Sequence, residues 1–380
     1  STMAHFITPG PGDAVLLAGY ISLPGDPQTF LPQGTAYVAQ YSGRGQLDWR
    51  YTPDDQSSFA GVTSLDRAPD GSLYFSDIRV QDTVLTRLDA NGQKIWEYRR
   101  PQKEDLFNPE LALRVKVVND NLILLGLTEQ YGSAATPPGT LLALDGAGTL
   151  LWQFHGIGSG PYDPAVMFDI EVLPDQRIAT FHSFSALDEQ GRTGGAILLL
   201  DGSGLPLVSM DQDSLGLTRI LDLAPLGNQL VVAGSTAAGS RLLLLDESLN
   251  VLQQRDFPAA SAARLATQND TVCFALLAAS DPEASVTADA GITTFGIIDR
   301  HGQRSWETTT TDYHSQYASL SVDKHRCAFT DTKLNPGAGV LDTPDASSRT
   351  VLYSASGVQE TIEVAGSTGI ANFGHSLLRG

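Results

Sequence analysis

Positive charge is scarce in this sequence: 24 lysines and arginines stand against 43 aspartates and glutamates in 380 residues, a formal net charge of −19. Such a surface repels phosphates, so neither nucleic acid nor an anionic membrane is expected as the main partner. Cysteine is scarcer. Cys273 and Cys327 are the only two, with no CxxC and no Cys/His cluster at zinc spacing, so no metal site is expected. No apolar run is long enough to span a bilayer, and membrane insertion is not expected. The opening residues lack the basic and apolar regions of a signal peptide. Met3 as the native start would make the protein cytoplasmic; a signal removed ahead of it would make it periplasmic or secreted. No stretch keeps a helical period, and only residues 104–111 suggest a brief helical turn. GxSxG, HExxH, EF-hand and P-loop motifs are all missing.

What is present is a repeat. Hydrophobic residues make up 42% of the chain, too many for disorder, and 37 glycines with 20 prolines imply many turns. In TVLTRLDANGQKIWEY (residues 83–98) an alternating strand meets a tight turn and a second strand ending near Trp96. The turn glycine recurs as Gly45, Gly92, Gly148, Gly204, Gly302 and Gly357, with Leu249 in the same slot of one weaker copy. Three residues earlier stand Ser42, Asp89, Asp145, Asp201, Asp246, Asp299 and Ser354, short side chains that accept hydrogen bonds from a turn backbone. Four residues after the slot stand Trp49, Trp96, Trp152 and Trp306, which are all the tryptophans; the other copies have Val208, Gln253 and Thr361.

A second hairpin precedes each of these, as in SLDRAPDGSLYFSDI (residues 64–78). Each repeat therefore carries four strands, and there are seven repeats. This predicts an all-β, seven-bladed β-propeller of four antiparallel strands per blade, a single domain over 1–380 with blades near 4–53, 54–103, 104–156, 157–212, 213–258, 259–312 and 313–380. Residues 5–9 are expected to give the innermost strand of the first blade, with residues 370–378 competing for that place or extending the ring. The repeated Trp is expected to wedge between blades. Facing sheets lie ~10 Å apart, whereas a disulfide needs Cα atoms within ~7 Å, so both cysteines are expected as buried free thiols.

The motif LDxxGxxxW, present as Leu88-Asp89, Gly92, Trp96 and as Leu144-Asp145, Gly148, Trp152, resembles the repeats of the quinoprotein-like (PQQ-like) propeller superfamily, across all seven copies. That superfamily includes quinone-dependent dehydrogenases, bacterial aryl-sulfotransferases and non-catalytic scaffolds. The Thr usual before the turn glycine is replaced by Asn91, Ala147 and Ser203, and the adjacent cysteine pair of the quinone-binding alcohol dehydrogenases is missing. No cofactor is therefore expected.

Alternating strand direction puts the short first-to-second and third-to-fourth turns on one face, and the long connections on the other. Long connections on a rigid scaffold concentrate function. A small-molecule or protein ligand is expected on that face. Two sets of residues are candidates. Asp66, Glu171 and Asp222, read as equivalent, and Arg114 and Arg264, read as aligned, would line a central channel and bind ligand. In the loops, Asp312, Tyr313, His314 and Tyr317 cluster within ETTTTDYHSQY, and His155 and Tyr162 lie in FHGIGSGPY. Histidine beside an acid suits general acid–base work, and tyrosine suits ligand stacking. The preferred reading is a binding platform; a lyase, cyclase or transferase using His314 or His155 is the alternative.

Overall fold

A computed structural model of the chain describes residues 2–22, 34–54, 61–79, 82–101, 110–129, 140–155, 167–184, 194–258, 262–268, 271–278, 292–299, 304–311, 319–323, 326–333, 347–354 and 356–365. They are nearly all β, in seven antiparallel sheets of four consecutive strands each. The first sheet is β1 (Thr2–Pro9), β2 (Val15–Ser22), β3 (Gly34–Tyr41) and β4 (Leu47–Tyr51). The second is β5 (Val62–Arg67), β6 (Leu73–Arg79), β7 (Asp82–Leu88) and β8 (Lys94–Pro101). The third is β9 (Glu110–Asn119), β10 (Leu122–Glu129), β11 (Thr140–Leu144) and β12 (Leu150–His155). The fourth is β13 (Met167–Val172), β14 (Ile178–Phe184), β15 (Gly194–Leu200) and β16 (Pro206–Asp211). The fifth is β17 (Arg219–Leu226), β18 (Gln229–Thr236), β19 (Gly239–Leu245) and β20 (Val251–Phe257). The sixth is β21 (Ala262–Gln268), β22 (Thr271–Ala278), β23 (Ile292–Asp299) and β24 (Arg304–Thr311). The seventh is β25 (Ser319–Asp323), β26 (Arg326–Lys333), β27 (Ser347–Ser354) and β28 (Gly357–Ala365).

The sheets fall into two compact units, Ser1–Ser214 and Leu215–Gly380. In the first unit, neighbouring sheets meet through apolar faces. Leu16, Ala18 and Val38 pack with Val62, Leu73 and Phe75; Tyr74 and Leu85 with Ile123 and Leu125; Leu124 and Leu141 with Ile178 and Leu198. The tryptophans complete these contacts, as the repeat implies. The Trp96 Nε1–H donates to the Gly146 carbonyl at 2.9 Å and Trp152 to that of Gly202 at 3.2 Å. The rings of Trp49, Trp96 and Trp152 lie against the turn glycines Gly92, Gly148 and Gly204 of the next sheet. Those turns hold φ near +80°, which glycine alone adopts without cost. Asp89, Asp145 and Asp201 each accept two backbone N–H bonds within their own turn, at 2.8 to 3.0 Å.

The second unit is built alike. Ala233 and Leu242 pack with Ala263 and Phe274, and Ala275 and Phe295 with Phe329 and Tyr353. Here one expectation fails. Cys273 of β22 and Cys327 of β26 form a disulfide, with Cα atoms 6.0 Å apart. The uniform ~10 Å spacing of stacked sheets does not apply to these second strands. The register explains the pairing. Cys327 sits opposite Tyr353, as Val272 does opposite Ile298. Cys273 is one residue beyond, and alternation turns the two side chains toward each other across the gap.

β1 pairs with β2 and so supplies the first strand of the first sheet, as expected. Residues 370–378 lie outside the described residues. So does most of 104–111, although Glu110 and Leu111 belong to strand β9. A 3₁₀ turn at Gln212–Leu215 is the helical element among the described residues, and was not foreseen. No helix among the described residues is long and apolar enough to cross a membrane.

Candidate functional site

The first strands carry a row of polar side chains that the register aligns. Ser64, Arg114, Asp169, Asp222 and Arg264 share one position, opposite Ser76, Gly126, Phe181, Ala233 and Ala275 of their second strands. Asp66, Lys116 and Glu171 share the position two residues on, opposite Tyr74, Leu124 and Ala179. Arg114 and Arg264 are thus equivalent, as read from the sequence, and so are Asp66 and Glu171. Asp222 is not. It aligns with Asp169, and Ala224, opposite Val231, holds the place of Asp66 and Glu171.

The row joins adjacent sheets. The Val117 N–H donates to Asp66 Oδ2 at 2.7 Å, and the Arg67 N–H to Asp66 Oδ1 at 2.8 Å. Ser64 Oγ accepts from the Val115 N–H at 3.0 Å. One sheet further, Arg114 Nε donates to Asp169 Oδ1 at 2.7 Å and Lys116 Nζ to Glu171 Oε2 at 2.9 Å. In the second unit Asp222 repeats the role of Asp66, accepting from the Leu265 N–H at 2.7 Å and the Leu223 N–H at 2.9 Å. Replacing Asp66 by Ala leaves the Val117 N–H without its acceptor, and the expected loss is about 1–2 kcal/mol of unfolding free energy. Denaturant titration checks this.

Burial raises the Asp66 pKa above the ordinary carboxylate value, against the pull of Lys116 and the two N–H donors. Glu171 is raised likewise, by burial first and by Asp169, with Lys116 opposing. Burial works against the Lys116 ammonium, but Glu171 and Asp66 outweigh it and its pKa rises. Carboxylates raised in the folded state bind protons there before they do in the unfolded chain. Unfolding free energy from Asp66 and Glu171 therefore increases as pH falls from neutral into the upper carboxylate range. Asp70 is lowered by the Ser72 N–H, and Asp201 and Asp246 by side-chain and turn hydrogen bonds. These act oppositely, but only at lower pH, and weakly because they are exposed. The melting temperature is expected to be higher at about pH 5 than at about pH 7, with Asp66→Asn flattening the rise; a pH series of thermal melts checks this.

A second charged group escaped the sequence reading. Asp77 and Arg79 at the end of β6 are almost fully buried. Arg79 Nε donates to Asp77 Oδ2 at 2.8 Å and Arg79 Nη2 to Glu97 Oε2 at 3.3 Å; Arg99 completes the cluster on Glu97. Burial and then Glu97 push Tyr51 up to about 12. In the register of the second strands the seventh repeat has Asp331 and Lys333 at the same two places and no other repeat has an acid and a base there, so periodicity gave little signal.

Of the loop candidates, Asp312, Tyr313, His314, Tyr317 and Tyr162 lie outside the described residues. His155 ends β12, opposite Thr140, and its side chain lies outside them too. No group of three or more potential metal ligands occurs among the described residues. In every sheet the first-to-second and third-to-fourth turns share one end. Residues 23–33, 130–139, 185–193, 279–291 and 334–346 depart from the other.

No protein family and no curated protein matches the chain. Solved structures do. The WD40 domain of SCAP from fission yeast is similar at 11% identity over 90% of this chain and 86% of that one, with a TM-score of 0.51. A eukaryotic initiation factor is similar at 9% identity over 96% and 89%, with a TM-score of 0.50. The β-propeller domain of the Trilobed protease from Pyrococcus furiosus, described as having an open velcro topology, matches at 10% identity over 95% and 97%, with a TM-score of 0.48. The likeness is one of fold: a nearly all-β chain of four-stranded antiparallel sheets of the β-propeller kind.

Proposed function

We propose that the chain is a seven-bladed β-propeller of the quinoprotein-like type, acting as a binding platform that takes a protein or small-molecule ligand at the end where the long connections emerge and at the channel mouth. The observation that carries this reading is the use made of the charged first-strand residues. Asp66, Arg114, Lys116, Asp169, Glu171 and Asp222 each engage a neighbouring sheet. Their chemistry holds sheets together, which leaves recognition to the variable connections. The disulfide supports a periplasmic or secreted location, since such bonds persist in oxidising compartments.

The test is a thermal-shift screen of small molecules and candidate proteins, repeated on a variant whose residues 130–139 and 185–193 are replaced by short Asn-Gly turns. A ligand that binds only the native state raises the melting temperature. The reading expects that rise to vanish in the variant while the ligand-free melting temperature holds. Ligand turnover that is lost in His314→Ala or His155→Ala would instead establish the enzymatic alternative.

A further inference from the structure

Nine large apolar side chains are exposed among the described residues, from Leu47 to Val358, and each stands one to three residues after the turn slot of its repeat. They lie where the fourth strand begins, and the fourth strand is an edge strand in every sheet. The register shows what sets the place apart. β8 pairs Lys94 with Leu88 and Trp96 with Arg87, which leaves Ile95 as the extra residue of a β-bulge. Leu151 and Leu207 are the bulged residues of β12 and β16 in the same way, and Leu252 is that of β20. Asp48, Ser305 and Gln359 hold the place in the other sheets. A bulge re-aims its side chain and spoils an edge for pairing with another strand. That protection needs no apolar residue. Yet Ile95, Leu151 and Leu207 are 50%, 51% and 52% exposed on three consecutive sheets, with Leu150 and Leu205 exposed beside them. Single exposed leucines are ordinary, whereas a row repeated on adjoining sheets marks a contact surface.

The ground beside the row is acidic. Each of the six turns at this end of the second, third and fourth sheets holds one aspartate: Asp70, Asp89, Asp120, Asp145, Asp175 and Asp201. Arg87 is engaged with Asp70 at 3.1 Å, Arg177 with Asp175 at 2.7 Å and Lys94 with Glu97 at 3.8 Å. Arg67 lies across the sheet on β5. No ion pair among the described residues takes up Asp89, Asp120, Asp145 or Asp201. A second copy of the chain would bring like charges together here, and so would an anionic bilayer. Leucines set among uncompensated carboxylates fit a partner that is both apolar and cationic.

We propose that the row on the second to fourth sheets is a docking surface for a cationic amphipathic segment of another protein. The segment's apolar side chains rest on Ile95, Leu151 and Leu207, and its lysines and arginines meet the turn carboxylates. The row lies at the end of the sheets opposite the long connections, so it stands or falls apart from the loop-face reading.

Titration of the full chain at physiological salt with a short amphipathic peptide of leucine and lysine tests it. A lysine–serine peptide of equal charge and a leucine–glutamate peptide are the controls. The wild type is expected to bind the leucine–lysine peptide about tenfold or more tighter than the lysine–serine peptide, and the leucine–glutamate peptide not at all. Ile95→Ser/Leu151→Ser/Leu207→Ser should lose about tenfold in affinity while melting as the wild type does, because the changes fall on exposed positions. Asp89→Asn/Asp145→Asn/Asp201→Asn keeps an acceptor in each turn and should weaken the peptide and flatten its salt dependence. Nuclear Overhauser effects from the peptide's leucine methyls to those of Ile95, Leu151 and Leu207 should place it. Equal binding of the lysine–serine peptide, undiminished binding by the serine variant, or effects that miss all three residues would each overturn the proposal. So would vesicles of phosphatidylcholine bound by the wild type and not by the serine variant, which would give the row to a membrane. A concentration-dependent dimer lost in that variant would give it to a second copy and overturn the proposal equally.

Discussion

Breaking the Cys273–Cys327 disulfide is expected to lower unfolding free energy by about 4 kcal/mol, the loop-closure entropy of a cross-link spanning 54 residues. The bond ties together two sheets whose apolar contact already includes Phe295, Phe329 and Tyr353, with Phe295 and Phe329 4.8 Å apart. The Tyr353 hydroxyl donates to the Phe274 carbonyl at 3.2 Å across the same contact. Packing therefore survives reduction, and the loss falls on the unfolded chain, which regains its freedom. Urea unfolding of the oxidised protein, the reduced protein and Cys273→Ala/Cys327→Ala separates the contributions. The two modified forms should agree with each other and fall well below the oxidised one. A reduced protein as stable as the oxidised one would mean the sheets need no tether.

Gly92→Ala is expected to cost about 3 kcal/mol or more, and Gly45→Ala only about 1 kcal/mol. The two residues fill one repeat position and share a backbone conformation, φ +77° and +76°. A left-handed alanine costs ~1–2 kcal/mol at either. They differ in what a methyl group meets. At Gly45 nothing lies within 4 Å, whereas at Gly92 the methyl would fall inside the Trp49 ring. Overpacking adds ~1–3 kcal/mol. Trp49→Leu should erase most of the difference, because the cost belongs to the pair. Equal losses at Gly45 and Gly92 would show that the glycines serve turn geometry alone.

The architecture was readable because six of the seven repeats carry the turn glycine and four add a tryptophan. The structure shows that these two marks are partners in space. Leu249 obeys the turn rule without the residue type: it holds φ +64° and is fully buried. Finer features escaped for physical reasons. An apolar residue precedes both acids of β13, Phe168 before Asp169 and Ile170 before Glu171, so that cue matched Asp222 to the wrong carboxylate. The cysteines were judged by the spacing of flat stacked sheets, which fails where second strands come close. The buried Asp77–Arg79 pair has a counterpart only in Asp331 and Lys333 of the seventh repeat, too thin a signal for a periodic argument.

Every sheet is assembled from four strands adjacent in sequence, the first and the last sheets included. No strand must therefore wait for its partner to be synthesised hundreds of residues later. Each double hairpin can form as it leaves the ribosome and offer its apolar face to the next, so that folding proceeds in the order of synthesis.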